Sequence, residues 1–201
     1  MSEPPAALKS TTPLKPVALY DACVLYPAAL RDTLMSLAVT GLFRARWTEA
    51  IHDEWTRNLR EDRPDLPPAQ LERTRQVMNR AVPDAVVIGY EGRIGALTLP
   101  DPNDRHVLAA AIHAKAQVIV TFNLRDFPSA VLSAYGLRAE PPDAFLSALL
   151  RDHPQEVITA LAKQRHRLIN PPQSVEEFLA NLARQGLAQT AEGLRPHTDR
   201  L

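Results

Sequence analysis

The sequence predicts an α/β fold in which helices cover both faces of a central parallel sheet. Short apolar runs alternate with helical patterns as far as residue 152. The runs are continuously apolar, which is typical of strands buried on both faces. From Pro154 onward only helical patterns remain. We therefore divide the chain into a flexible leader (1–16), an α/β domain (17–150) and a helical C-terminal extension (151–201).

The first half of the chain contains three short predicted strands. They are residues 17–20, 42–47 and 85–88. A helix is predicted from Pro27, which suits a first turn, to Gly41, which suits a helix end. Thr48 is a suitable N-cap for a helix that runs to about Leu59, and a polar helix follows over residues 68–80.

The second half starts with the best-marked helix of the chain. Asp101 is its predicted N-cap and Pro102 its first residue, and it runs to Lys115. The clearest strand is 117–122, and an edge strand is predicted over 137–140. Further helices are predicted over the following ranges: 128–136, 142–152, 154–168 and 174–185.

Composition limits the possible functions. A hydrophobic content of 45% supports a core, and the net charge of zero argues against a broad basic surface for tight, non-specific binding of nucleic acids. Cys23 is the single cysteine, so no intramolecular disulfide can form. No stretch approaches the roughly 20 apolar residues of a membrane span. We expect a cytoplasmic protein that is not in the membrane.

Polar oxygen-bearing side chains recur where predicted strands end or helices begin. Parallel strands bring their carboxyl ends to one edge of the sheet, where ligands of such folds bind. Carboxylates forced together repel one another unless a cation lies between them, and oxygen-only clusters suit Mg²⁺ or Mn²⁺. The predicted ligands are Asp21, Glu54, Asp104, Asn123 and Asp126.

Each of these residues also has an ordinary structural interpretation. Asp21 and Asp126 can cap helices, and Asn123 can form a turn. Glu54 can pair along its helix with Arg57 or Asn58, and its neighbour Asp53 lies about 100° away, so that only one of the two should face the site. The order of the whole set, more than any single residue, favours a metal-dependent phosphodiester hydrolase.

That order resembles the PIN-domain family of nucleases, and within it the VapC-type toxins of bacterial toxin–antitoxin pairs. Four pieces carry the resemblance, and they are residues 18–27, Glu54 in its helix, residues 99–111 and residues 120–127. The resemblance spans residues 17 to about 150. The sequence departs from the family at Cys23, where Asn, Ser or Thr is common, and at Asn123, where Asp is common.

The resemblance implies a three-layer α/β/α fold with an acidic pocket for Mg²⁺ or Mn²⁺. It implies that Asp21, Glu54 and Asp104 carry the metal, and that Asn123 and Asp126 complete the site. The catalytic residues would be Asp21, Glu54, Asp104 and Asp126. Expected partners are an RNA substrate, a cognate antitoxin protein and a second copy of the chain in a homodimer.

Substrate phosphates need cationic contacts outside an acidic pocket. Five arginines near the motifs are candidates, namely Arg31, Arg44, Arg46, Arg105 and Arg125. Of these, Arg31, Arg105 and Arg125 are the predicted substrate contacts, and solvated surface or salt bridging is the alternative for each. The apolar faces of the helices over 154–185 offer a dimer surface, or they pack on the same domain.

Three alternatives remain open at the level of function. An aspartate-nucleophile phosphatase or dehalogenase would want a second carboxylate two residues after Asp21, where Cys23 stands. A non-catalytic PIN-like binding module would keep the fold without the chemistry. A PIN nuclease of RNA processing would share the chemistry without being a toxin.

Overall fold

The fold is built on a sheet of four parallel strands. A computed structural model describes residues 15–201, so most of the predicted leader lies outside the described residues. The strands are β1 (Val17–Tyr20), β2 (Arg44–Arg46), β3 (Val118–Val120) and β4 (Arg138–Glu140). Their order is β2-β1-β3-β4, and every neighbouring pair is parallel. All residues of β1 and β3 are buried, as expected for strands that are covered on both faces.

Helices pack on this sheet and continue beyond it. They are α1 (Ala22–Leu25), α2 (Ala28–Ala38), α3 (Glu49–Asp62), α4 (Pro68–Ala81), α5 (Arg105–His113), α6 (Ser129–Leu132), α7 (Pro142–Asp152), α8 (Pro154–Arg167), α9 (Val175–Arg184) and α10 (Ala188–Leu194). Short 3₁₀ segments cover Glu91–Ala96, Pro102–Asp104, Ser133–Tyr135 and Arg195–Arg200. Among residues 15–201, no helix has the length and apolar character needed to cross a membrane.

The predicted helix starts and ends are set by local side-chain chemistry. Thr48 caps α3, because its hydroxyl accepts the Ile51 N–H at 3.0 Å. Asp101 caps the 3₁₀ turn that leads into α5, and its carboxylate accepts the Asn103 N–H at 2.8 Å. Gly136 ends the helix after β3 with a φ of 66°, in the left-handed region that glycine adopts without strain. Together with the parallel sheet, these helix boundaries confirm the predicted α/β architecture.

One predicted strand is wrong. Residues 85–88 form a single parallel bridge between Val86 and Trp47, held by two backbone hydrogen bonds of Trp47. Both flanks of the segment are in the left-handed region, with φ values of 65° at Asp84 and 78° at Gly89. These conformations turn the chain on each side of the bridge, so Ala85 and Val87 are buried without a continuous ladder, whereas Ile88 is 75% exposed.

The C-terminal extension shares the apolar core of the α/β domain. Helix α8 packs on α2, and α10 packs on both α7 and α9. Buried residues of the extension include Val157, Leu161 and Phe178, and the last residue, Leu201, is also buried. The apolar faces that the sequence offered for dimerisation are thus covered within the chain, and a homodimer would need another surface.

A buried carboxylate joins the extension to the α/β domain. Asp143, in the first turn of α7, is only 8% exposed. Its carboxylate accepts the N–H groups of Gln189 and Thr190 and the hydroxyl of Thr190, each at 2.8 Å. Asp143 therefore satisfies donors at the start of α10, because the first N–H groups of a helix have no partner within it.

Candidate acidic site

The candidate site lies where the order of the strands reverses. The chain runs from β1 to β2 on one side of β1 and later to β3 on its other side, so the reversal falls between the carboxyl ends of β1 and β3. Asp21 follows β1, and its N–H donates to the Val120 carbonyl of β3 at 3.1 Å. In open α/β sheets this is where ligands bind.

Asp21 is held tightly at this position. One carboxylate oxygen, Oδ1, accepts the Ala22 N–H at 2.7 Å, and the other, Oδ2, accepts the Thr121 hydroxyl at 2.7 Å. Burial raises the pKa of Asp21, and repulsion from Glu54 acts in the same direction, while these hydrogen bonds and one from Cys23 lower it. The side chain is only 2% exposed, which disfavours Asp21 as an attacking nucleophile of the phosphatase type.

Cys23 stands where the PIN resemblance led us to expect Asn, Ser or Thr, and its thiol makes polar contacts of the same kind. The thiol donates to Asp21 Oδ2 at 3.2 Å and accepts the Phe122 N–H at 3.3 Å. Burial, followed by the negative charge of Asp21, raises the pKa of Cys23 to about 12. The group therefore remains a thiol and acts as a hydrogen-bond donor.

We expect Cys23 to react slowly with thiol reagents in the folded protein. The thiolate is the reactive form, and a pKa of about 12 leaves it at a very low population at pH 8. Its reaction with a disulfide reagent should be slower by about 100-fold or more than in the same chain unfolded in urea. Rates followed by absorbance check this, and equal rates in the two states would contradict the described thiol environment.

Glu54 and Asp53 point in different directions, as their helical spacing requires. Asp53 forms an exposed ion pair with Arg75 of α4, at 2.8 Å. Glu54 instead lies with its Oε2 3.5 Å from Nε2 of His106, at the start of α5. The structure therefore selects Glu54 as the carboxylate of α3 that faces the acidic residues.

A buried polar network fixes the helix that carries Glu54. The Nδ1 atom of His52 accepts the Trp55 Nε1–H at 2.9 Å, so Nε2 carries the proton and donates to Asn79 Oδ1 at 3.1 Å. Burial lowers the pKa of His52 and keeps the ring neutral. Trp47 also donates to Asn79 Oδ1, at 2.8 Å. These contacts hold α3 against α4 and against Trp47, which follows β2. They thereby fix the side of α3 from which Glu54 projects.

Asp104 is the carboxylate most affected by its neighbours. It precedes α5, yet its side chain makes no capping hydrogen bond. Its pKa is raised to about 7, first by burial and then by the negative charges of the surrounding carboxylates, which are Asp21, Asp101, Asp126 and Glu54. The structure therefore brings the carboxylates of four separate segments into electrostatic contact.

Asn123 and Asp126 lie in the turn after β3. The Asn123 N–H donates to the Thr121 hydroxyl at 2.9 Å, and the Asp126 N–H donates to the Asn123 carbonyl at 3.0 Å. Asp126 is half-buried and adds to the charge felt by Asp104, whereas Asn123 is exposed. Their roles as ligands remain predictions.

Thr121 is the part of the site that the sequence reasoning left out. It is fully buried, and its hydroxyl joins Asp21 of one strand end to Asn123 of the next. Threonine is common in strands, so the residue type gave no signal. Its position near the end of the clearest predicted strand, 117–122, was the only clue.

The three candidate arginines have different surroundings. Arg31 donates to the carbonyls of Leu25 and Tyr26, and its guanidinium lies 4.6 Å from the ring centroid of Trp55. Burial lowers its pKa to about 10. These contacts give Arg31 a packing role, and we do not retain it as a substrate contact. Arg105 donates to the Pro102 carbonyl at 2.9 Å, and Arg125 is exposed.

The donor set suits a hard divalent cation, although the groups stand apart. Carboxylate and amide oxygens are the ligands that Mg²⁺ and Mn²⁺ prefer, and the repulsion at Asp104 is what a cation would relieve. Within residues 15–201, no three Asp, Glu, His or Cys side chains are close enough together to enclose an ion as they stand. Binding would therefore draw these carboxylates closer to one another.

Comparisons with known proteins agree with this architecture. Residues 17–125, more than half of the chain, match the family described as "PIN domain". The chain belongs to the PIN-domain family. Residues 142–196 match a second family, described as "VapC50 C-terminal domain". Together the two matches confirm the resemblance to VapC-type PIN proteins.

The chain is also similar to one named relative over about half of its length. The protein named "Putative ribonuclease VapC50", from Mycobacterium tuberculosis (strain ATCC 25618 / H37Rv), is 36% identical over 101 residues. The alignment covers 50% of this chain and 59% of the relative. The chain therefore spans less than two thirds of the relative's length. No solved structure matches the chain significantly.

Proposed function

We propose that this PIN-domain protein is a metal-dependent endoribonuclease that hydrolyses RNA phosphodiester bonds. The observation that carries the proposal is Asp104, a buried carboxylate surrounded by the charges of three other segments at the carboxyl edge of the sheet. Such an arrangement is unfavourable without a cation and is typical of a site that binds one. The name of the mycobacterial relative supports RNA as the substrate.

The residues divide into ligands and groups that position them. Asp21 and Asp104 would hold Mg²⁺ or Mn²⁺, with Asp126 and Asn123 completing the site. A bound cation of this kind activates water and neutralises charge on the phosphodiester. Glu54 would orient the attacking water or serve as a further ligand. Thr121 and Cys23 hold Asp21 Oδ2, so that the carboxylate keeps one fixed orientation.

Cationic contacts to the substrate would come from the rim of the site. Arg105 begins α5 beside Asp104, and Arg125 lies in the turn between Asn123 and Asp126. Neither side chain forms an ion pair with any residue in the part of the chain that the structure describes. Their positive charges are thus not neutralised by a carboxylate there and can attract phosphate oxygens, contacts that fix the position of the nucleic acid without reading its sequence.

Cleavage of a labelled RNA pool by the purified protein tests this function. We expect cleavage with Mg²⁺ or Mn²⁺, none in EDTA, and none by the Asp21→Asn, Asp104→Asn double variant. A calorimetric titration with Mn²⁺ should show binding by the wild type that the double variant has lost. A folded wild type that neither cleaves RNA nor binds millimolar Mn²⁺ would instead identify a non-catalytic binding module.

We propose further that the protein is the toxin of a type II toxin–antitoxin pair and acts in the cytoplasm. The match of residues 142–196 to the VapC50 C-terminal domain supports this role. The expected partner is a small antitoxin protein, and a homodimer is also expected. Expression of the wild type should slow bacterial growth, and Asp104→Asn should restore it. Normal growth with an active wild type would favour a nuclease of RNA processing.

A further inference from the structure

One aromatic side chain beside the acidic site is exposed, unlike the other phenylalanines of the chain. Phe122 follows Thr121 in the turn after β3 and is 43% exposed. The other four phenylalanines of the sequence are at most 6% exposed. Exposing a ring of this size to water is unfavourable, and an exposed aromatic ring is a surface on which a nucleic-acid base can stack.

The backbone of Phe122 is tied directly to the acidic site. Its N–H donates to the Cys23 thiol at 3.3 Å, and this thiol donates to Asp21 Oδ2 at 3.2 Å. The turn that follows is held by hydrogen bonds from Asn123 to Thr121 and from Asp126 to Asn123. The ring is therefore presented from a fixed turn at the edge of the pocket.

The C-terminal extension covers one side of this ring. Gly186, in the turn between α9 and α10, has a φ of 82°, in the left-handed region. A Cβ at this position would lie 3.6 Å from Cε1 and 3.7 Å from Cζ of Phe122. The extension is held over this edge of the sheet by Asp143, which binds the start of α10. The turn at Gly186 thus packs against one side of the Phe122 ring, and the rest of the ring stays exposed.

We propose that the exposed part of the Phe122 ring, supported from one side by the turn at Gly186, is a subsite that binds a base of single-stranded RNA next to the scissile phosphate. This inference rests on the proposed ribonuclease function. Unpaired bases stack on exposed aromatic rings, and proteins that bind single strands combine such rings with nearby cations. Arg125, three residues after Phe122, supplies the cation. The extension then has a function in substrate binding, because its turn at Gly186 supports the ring on which the base stacks.

Substitutions of Phe122 separate stacking from simple packing. Phe122→Ala and Phe122→Leu should each raise KM for a single-stranded RNA by about 10-fold, with kcat within about twofold, because stacking on one base is lost. Phe122→Tyr should retain the wild-type KM. All three variants keep the backbone N–H that binds Cys23. Tyr135→Ala is the matched control, since Tyr135 is 45% exposed but precedes β4, at the opposite end of the sheet.

Substitutions of Gly186 test whether the ring surface next to the extension binds the base, because an added side chain would cover part of that surface. Asparagine tolerates the left-handed conformation, so Gly186→Asn should fold and place a side chain beside Phe122. It should raise KM, and it should weaken the quenching of 2-aminopurine in a bound RNA oligonucleotide measured in EDTA. Gly136→Asn is the control for backbone strain, because Gly136 has a φ of 66° and a Cβ added there would meet no atom within 4 Å.

The outcomes distinguish this subsite from the proposed function. If the wild type cleaves RNA and the Phe122 and Gly186 variants match it in KM and quenching, the subsite is wrong and the nuclease stands. A protein partner would then be the remaining occupant of the exposed ring. If the wild type neither binds nor cleaves single-stranded RNA, both proposals are overturned together.

Discussion

Replacing Asp104 by asparagine is expected to abolish metal-dependent cleavage and, at the same time, to stabilise the metal-free protein. Cleavage should fall by about 100-fold or more, since a central carboxylate of the proposed metal site is lost. The free energy of unfolding in EDTA at pH 8 should rise by roughly 1–2 kcal/mol, because the buried charge and its repulsion by four carboxylates are removed. Cleavage assays and urea denaturation measure the two effects.

The same residue predicts how the stability of the metal-free protein depends on pH. The pKa of Asp104 is about 7 in the folded protein, against 3.8 for an unperturbed aspartate. Between these values the folded state holds a proton that the unfolded chain has released, so stability should fall as the pH rises from about 4 to 7. Asp21, whose pKa is also raised, acts in the same direction. Asp104→Asn should flatten this dependence.

Asp53→Asn is the matched control for Asp104. It removes the same charge from the residue next to Glu54 in α3, but Asp53 is exposed and pairs with Arg75 on the surface. We expect its cleavage rate to stay near that of the wild type and its stability to change by less than about 1 kcal/mol. A metal-free Asp104→Asn protein that is less stable than the wild type at pH 8 would contradict the electrostatic description of the site.

Replacing Asp143 by alanine is expected to cause the largest loss of stability. The change leaves three donors at the start of α10 without their acceptor, in a region where Thr190 is fully buried. Unsatisfied buried groups of this kind should lower the free energy of unfolding by roughly 2–4 kcal/mol. Urea denaturation gives the total loss, and hydrogen exchange at the amides of Gln189 and Thr190 localises it.

Asp152→Ala is the control for Asp143, because Asp152 ends the same helix and is exposed. Its effect should be within about 0.5 kcal/mol, as for most surface substitutions. Equal losses in the two variants, or unchanged exchange at Gln189 and Thr190 in Asp143→Ala, would show that the link to the extension does not depend on this carboxylate.

The local signals in the sequence were sufficient for most elements. Thr48, Asp101 and Gly136 mark helix boundaries through short-range hydrogen bonds and backbone conformation, which depend on few neighbours. The segment 85–88 shows where local signals fail. Its composition is that of a strand, but strand formation depends on a partner, and the turns at Asp84 and Gly89 leave only one bridge.

Part of the acidic site could also be predicted from local signals in the sequence. Asp21, Asp104 and Asp126 were identified from their places after strands and at helix starts, and the structure brings their charges together. The sequence could not show which groups Arg31 contacts, because these contacts follow from its packing against Trp55 in the folded chain. It also gave no reason to single out Thr121, whose hydroxyl matters only because β1 and β3 are neighbours.

The sequence by itself determined the fold class, the helix boundaries and the identity of the acidic residues, because these follow from residue types at short spacing. Only the tertiary structure decided that Glu54 and not Asp53 faces the site, that Cys23 holds Asp21, and that the extension reaches Phe122. These contacts join residues that are far apart in the chain or equivalent in composition. They depend on which strands pair and on where a buried carboxylate such as Asp143 finds its donors.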